Sequence, residues 1–428
     1  MLALQGQLDG IRQRADPAAH KPQVVIGKNE VLSGVLTQTL HTSLHTSLHT
    51  SRIFQMDPVQ SPPHTTMTHT RSANAVRLEF APGSLVQTNL SGAAFTGDWL
   101  WVAGDEACGL DRLRRLDPVG RESLRFGEVR DFPLADLLDL PGAADEEADL
   151  EGMAVADGYL WVVGSHGLKR KNIKPDRSHA DNAKRLAKVA LDGNRRLLAR
   201  LPLEPDADGT PCLVKQAADG RRALRLKGDA QANLLTRALA DDPHFGPYMA
   251  IPGKDNGFDI EGLAVDGPRL LLGLRGPVLR GWSALLEIQV EVRADDLRLA
   301  PLDDKGTLVR KHFLQLDGLG VRDLHFCGDD LYILAGPTMV LNGDIRLFKW
   351  PGARKVMNAN AEPVRFEAAL TEATTLPHGS GSNRAEAICN VPAAMASPQA
   401  RWLVLYDAPG ADRREGEHTV FGDLLRHA

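Results

Sequence analysis

An acidic residue recurs at one place in a repeated stretch of this chain. Glu151 stands in Asp149-Leu150-Glu151-Gly152-Met153-Ala154, and Glu261 in Asp259-Ile260-Glu261-Gly262-Leu263-Ala264. Asp323 stands in Val321-Arg322-Asp323-Leu324-His325-Phe326, and Glu386 in Arg384-Ala385-Glu386-Ala387-Ile388-Cys389. A fifth copy, Leu90-Ser91-Gly92-Ala93-Ala94-Phe95, carries Ser91 there. Carboxylates gathered at one place repel each other. They are stable together only around a hard cation such as Ca²⁺ or beside cationic side chains. One reading makes Glu151, Glu261, Asp323 and Glu386 ligands of Ca²⁺ or another divalent cation. The other makes each acid a clasp that accepts backbone N–H groups of the neighbouring repeat. Repeats tend to repeat structural devices, whereas active sites break symmetry. Both readings stand on the sequence.

The positions that differ between copies are the sharper candidates. Downstream of the five copies come Asp105 and Glu106, Ser165 and His166, Arg275, Thr338, and Asp407. His166 has the chemistry to transfer a proton, and Arg275 to orient an anionic group. These two are the catalytic candidates. Asp105, Glu106, Ser165 and Asp407 are candidates for substrate binding, together with Lys169 and Lys171 of the basic stretch 169–174. That stretch can draw a small anionic molecule toward an acidic mouth, although charge runs are usually solvated loops. No nucleophile elbow, zinc-protease helix, phosphate-binding loop or dinucleotide fingerprint occurs in its required context.

The elements that must position these residues are strands. Each copy opens with a short strand and a tight turn: 96–98, 156–158, 266–267 and 327–329. Gly and Asp supply the positive φ that such hairpins need. A second strand rich in Trp, Val, Leu and Ile follows. Third and fourth strands are expected at 184–191 and 195–203 in the second copy, joined by a turn at Asp192-Gly193-Asn194, at 282–292 and 307–316 in the third, and at 344–350 and 363–370 in the fourth. Repeated four-stranded units describe an all-β protein, a β-propeller. Spacings of 60, 62 and 63 residues separate three pairs of successive copies, and 110 separates Glu151 from Glu261. The long interval is read as an enlarged loop at 205–258 that lacks paired strands, which gives five blades; six is the alternative. Small helices are expected between blades at 134–140 and 230–239. The strand at 75–80 is expected to complete the last blade and close the ring, removing exposed edges. In this geometry the recurring acids and the ends of the second strands share one face, which also carries most of the long loops. Trp101, Trp161 and Trp402 are read as packing between blades.

The bulk composition narrows the function further. A net charge of −5 over 428 residues gives no reason to expect nucleic acid as a partner. Cys108, Cys212, Cys327 and Cys389 show no C-x-x-C pair, which suits a reducing compartment. No apolar run reaches the ~18 residues of a spanning helix, and the start lacks a secretory pattern. A cytoplasmic protein without membrane association is expected. Residues 1–73 hold a tandem Leu-His-Thr-Ser run. They are read as a disordered low-complexity tail, or as translated sequence ahead of a later start at Met56 or Met67. The propeller domain is placed at 74–428.

On the repeated D-[LI]-E-G-[ML]-A motif, the chain resembles a bacterial family known as domain of unknown function 3616. The stretch 251–264 and Leu272-Gly273-Leu274-Arg275-Gly276-Pro277 carry most of the likeness, which spans about residues 75–425. The E-G-[LM]-A strand is also similar, more loosely, to one in esterase-like phytase propellers. That second likeness implies a propeller and a phosphate- or ester-directed site with a metal. The first implies no activity. Together these readings point to a metal-assisted hydrolase of small phosphoesters or esters at the channel mouth. The alternative is a non-catalytic propeller that binds a small ligand or protein partner on its long-loop face.

Overall fold

The structure, a computed structural model, describes residues 74–426 apart from 85, 88, 359–361, 380–382 and 396–399. The expected tail at 1–73 lies outside the described residues. What the described chain forms is all-β, with a few short helices. Each repeat is an antiparallel meander. The first runs Leu90–Thr96, Trp99–Gly104, Gly109–Leu116 and Leu124–Pro133. The third runs Asp259–Asp266, Arg269–Gly276, Trp282–Arg293 and Val309–Gln315. The tight turns work as the sequence requires: Gly97 and Gly267 both sit at φ +57°, where a side chain would be strained.

The first strands of the repeats lie side by side in chain order, and Arg384–Asn390 of the last packs against Leu90–Thr96 of the first. The arrangement is propeller-like, with the first strands around a central axis. The core follows from the strand period of two. In Trp99–Gly104, Leu100 and Val102 face the last repeat, while Trp101 and Ala103 face the second. Trp161 packs between the second and third repeats, and Trp402 between the fourth and fifth. Both faces of each meander are therefore buried, which is why the second strands are nearly continuous apolar runs.

Closure follows the expected route. Ala75–Glu79 pairs antiparallel with Thr419–Arg426 and completes the last meander. It also runs parallel to Leu124–Pro133, so the outer edges of the first and last repeats cover each other.

Three expectations about strands are corrected. In the second repeat, 184–191 is not one strand. Helix His179–Ala187 takes its first half, started by Ser178, whose side chain accepts from the Asp181 N–H, and its short strand Val189–Ala190 pairs with Lys169–Arg170, outside the meander. Asp192-Gly193-Asn194 is no hairpin turn, because Asn194 is buried and donates to the carbonyls of Ala143 and Glu146. The third strand, Leu198–Pro205, pairs directly with Tyr159–Gly164. The enlarged segment 205–258 does hold paired strands. Pro211–Leu213 and Leu224–Arg225 both pair with Leu198–Pro205 and fill the fourth place. In the fourth repeat that place belongs to Thr371–Leu376, not to 363–370. Val364–Glu367 crosses to run parallel to Val309–Gln315 of the third repeat. Phe366 stacks there on Phe313 at 5.2 Å and Glu367 meets His312 at 3.0 Å. The expected small helices are present at Leu134–Leu137 and Leu234–Leu239. Among the described residues no helix is long and apolar enough to cross a membrane.

Candidate functional site

Every first strand carries a one-residue irregularity in its pairing with the second at one equivalent place, and the third repeat has another shift between Asp259 and Ile260. The shared irregularity falls at Ser91, Glu151, Glu261, Arg322 and Glu386. A bulge re-aims the extra side chain, so these five residues are the equivalent positions. This corrects the placement of Asp323. In the fourth repeat the position of the acid is held by Arg322, and Asp323 occupies the place of Gly152 and Gly262. That place faces the next repeat. A Cβ on Gly152 would sit 2.9 Å from the backbone N of Leu263, and one on Gly262 would sit 2.8 Å from Leu324. Asp323 uses the same direction to clasp. Its oxygens accept from the N–H of Leu324 at 2.7 Å and of Ile388 at 2.8 Å. Ser91 also clasps, its hydroxyl donating to the Leu150 carbonyl. The two readings of the recurring acid thus divide among its copies.

The remaining ring positions form a chain of charge. Arg275 contacts Glu261 at 2.5 Å and Asp259 at 3.8 Å. Arg322 reaches Glu261 at 3.1 Å and also pairs with Glu386. Burial pushes Glu261 upward, but Arg275 and Arg322 outweigh it and hold its carboxyl below the usual range. Asp259 is pushed up to about 7 by burial and by repulsion from Glu261, with Arg275 opposing. Glu386 is pushed up to about 7 by burial and by Asp407 and Glu261, with Arg322 opposing. Arg275 also donates to the Thr338 carbonyl, so its guanidinium is committed to protein groups.

Glu151 lies outside this chain. It is 6% exposed, and among the described residues it accepts no hydrogen bond and forms no ion pair. Burial and repulsion from Glu261, Asp149 and Glu386 hold it well above the usual range. Carboxylate oxygens of Glu151, Asp105 and Asp149 lie within 4.8 Å of one another. Asp105 is pushed up to about 8 by burial and by repulsion from Asp149, Asp407 and Glu386, while Lys254 opposes. Asp149 has a partner in Arg195. A cavity of about 530 Å³ opens on Asp105 and Asp149; Glu151 does not line it. Asp105, Asp149 and Asp259 line it, and so do Glu106, Lys169, Lys171, Lys254 and Arg384. One buried oxygen of Asp259 has no hydrogen-bond partner.

The other candidates fall as follows. His166 is 1% exposed, and both ring nitrogens are occupied. Nδ1 lies 2.8 Å from the Gly164 carbonyl, and Nε2 lies 2.7 Å from the Asn233 amide nitrogen. Burial and Arg196 push it down to about 3, so it is a neutral structural group set away from the cavity. Ser165 is fully buried, and its hydroxyl accepts from Arg195 at 3.1 Å. Lys169 is tied to Glu147 and Asp192, and Asp407 faces Arg384 at 3.4 Å. Glu106 and Lys171 are exposed on the rim. The residues missed from sequence are Asp149, Asp259, Arg195 and Lys254. The D-x-E spacing held a signal for the first two, since alternate residues on a strand share a face. Lys254 and Arg195 are brought in by loops whose paths the sequence does not specify.

These features define the class: an all-β, propeller-like protein whose channel mouth is a buried cluster of carboxylates and guanidinium groups under a partly basic rim. Residues 89–423 match the model of the family described as protein of unknown function (DUF3616), and the chain belongs to that family. No curated protein matches it. Among solved structures it is similar to a GH43 beta-1,3-galactosidase, with 11% identity and a TM-score of 0.37 over 83% of this chain. The chain spans 62% of that galactosidase's length. It is also similar to Kluyveromyces lactis Hsv2, with 12% identity, a TM-score of 0.27 and coverage of 80% and 74% of the two chains. The computationally designed protein Ika8 aligns at 11% identity and a TM-score of 0.25, over 81% and 99%. The looser likeness to esterase-like phytases gains nothing from these comparisons.

Proposed function

We propose that the chain is a five-bladed propeller whose channel mouth hydrolyses a small anionic ester or phosphoester with help from a divalent cation. The observation that carries this reading is the layering of the cavity. Carboxylates of Asp105, Asp149 and Asp259 line it together with Lys169, Lys171 and Lys254. A cation on the acids can polarise an ester oxygen or supply a bound hydroxide. The cationic side chains can hold the anionic group against it. Arg275 acts in this reading by fixing Glu261 and Asp259, not by touching substrate. Four free thiols accord with a cytoplasmic setting. The test is a panel of phosphatase, esterase and lactonase substrates assayed with Ca²⁺, Mg²⁺ or Mn²⁺ and with chelator. Turnover that depends on cation and falls in Lys254→Met is expected. A panel silent under every condition would sink the hydrolase.

A second reading has its own support. His166 is sealed by Gly164 and Asn233, which removes the best proton-transfer group. A propeller that binds a cation and an anionic ligand without turning it over needs no such group. Ligand-dependent stabilisation without turnover would favour this reading.

A further inference from the structure

We infer that Asp105, Asp149 and Glu151 form a single hard-cation centre, set off the channel axis at the junction of the first and second repeats. It rests on the proposed mouth chemistry and assigns the cation to three residues, only one of which belongs to the recurring acids.

The argument begins with what the other ring acids are doing. Glu261 and Glu386 are consumed by Arg275 and Arg322, and Asp323 by backbone N–H groups. Glu151 alone of the recurring acids has no partner among the described residues, and it is 6% exposed. A carboxylate that deep is costly unless something compensates it. The groups that approach it are two more carboxylates, Asp105 and Asp149, and Arg195, which attracts Glu151 but pairs with Asp149. Oxygens of the three carboxylates lie within 4.8 Å of one another. Oxygens that share a Ca²⁺ ion at about 2.3–2.6 Å from it stand no more than about 5 Å apart. The spacing therefore suits a hard cation without rearrangement. Asp149 gives one oxygen to Arg195, which leaves the other for an ion.

The local backbone explains the placement. Glu151 is turned inward by its bulge, and Asp149 sits two residues earlier at φ +48°. Asp105 follows directly on Trp99–Gly104 of the preceding repeat. A junction between repeats thus supplies ligands from both sides, and the open side faces the cavity, where water or an anionic group can complete the shell. Asp259 lines the same cavity with an oxygen that has no hydrogen-bond partner. Lys254 is the internal competitor: it lines the cavity and is coupled electrostatically to Asp105 and Asp149.

The experiment is calorimetric titration of chelator-stripped full-length protein with Ca²⁺, Mg²⁺ and Mn²⁺. Stoichiometric binding of one ion is expected. Glu151→Gln and Asp105→Asn, each shown folded by circular dichroism, should weaken it more than about tenfold, the lower end of what even outer-shell losses cost. Lys254→Met should tighten it severalfold, a gain that damage to the fold cannot mimic. Asp208→Asn, at an exposed acid outside the cavity, should leave it unchanged. No binding of any of the three ions overturns the centre, as does binding that survives both Glu151→Gln and Asp105→Asn. Cation-stimulated turnover that survives both variants would keep the hydrolase and discard this centre. Binding that follows the expected pattern without turnover would do the reverse.

Discussion

The channel mouth and the outer half of the third repeat both bury charge, and they are finished to different degrees. In the third repeat Glu287, Arg310 and His312 are all at 0% exposure. Glu287 meets Arg269 at 2.9 Å, Arg310 at 2.8 Å and His312 at 3.0 Å. His312 turns its other nitrogen to Glu367, which also holds Arg365. Each carboxylate there has two or more cationic partners. At the mouth, Glu151 has none among the described residues and Asp105 keeps a buried oxygen unpaired. A buried network that serves the fold is saturated, because an orphan charge costs more than the network returns. One left unsaturated beside a cavity has a different use.

The sharpest way to break the comparison is to remove one acid from each place and measure urea unfolding without added cation. Glu287→Leu leaves Arg310 buried without its carboxylate and should cost about 3–5 kcal/mol. Nothing comparable should follow from changing Glu151. Equal losses at the two positions would show that the mouth is structural too.

A smaller effect separates the two by pH. His312 is held above its ordinary pKa: burial opposes its charge, but hydrogen bonds to Glu287 and Glu367 outweigh burial. Its contribution is fully present below the unfolded value of about 6.5 and drains away as pH rises through the folded value. Each unit by which the folded pKa exceeds the unfolded one is worth about 1.4 kcal/mol. His312→Gln should flatten that part of the stability profile above pH ~6.5. Asp105, held at about 8, also loses stability as pH rises, but from about 4 upward. Saturating Ca²⁺ should restore the loss at the mouth and leave the His312 loss untouched. A cation that repairs both, or neither, would erase the distinction.

Much of this scaffold was legible because a propeller repeats its physics. The strand–turn–strand units, the closing strand at 75–79 and the packing tryptophans all follow from local patterns that several copies support. What failed was local and unrepeated. The helix at His179–Ala187 was misread because Gly193-Asn194 looks like a turn, while Asn194 in fact anchors 143–146. Val364–Glu367 has strand composition, but Phe313 and His312 of another repeat decide its partner. The site failed by one residue. Aligning acid on acid put Asp323 in the ring, whereas the bulge selects Arg322. Alternation of residue types cannot reveal a bulge, since a shift of one moves every side chain to the other face. The network of Glu287 and His312 was hidden differently: Glu287, the Arg310–His312 pair and Glu367 lie on three strands far apart in sequence and meet only through sheet pairing.

The smallest predicted effect is the most diagnostic. Glu151→Gln keeps the volume and removes only charge. Without cation it removes an acid that burial first, and then Glu261, Asp149 and Glu386, hold back from ionising, so the variant should be as stable as the parent, or more stable by up to about 1 kcal/mol on the scale of common single changes. With Ca²⁺ at about a hundred times its Kd, the parent should gain about 2.7 kcal/mol by binding, and a variant bound at least tenfold more weakly no more than about 1.4 kcal/mol. The ranking of the two proteins therefore inverts on adding one ion. A fold-stabilising glutamate cannot give that inversion, because its loss costs the same with or without cation. A solvated surface glutamate cannot give it either, because its loss costs nothing in both. Only a carboxylate buried in wait for a charge makes its own removal favourable in one buffer and unfavourable in the next.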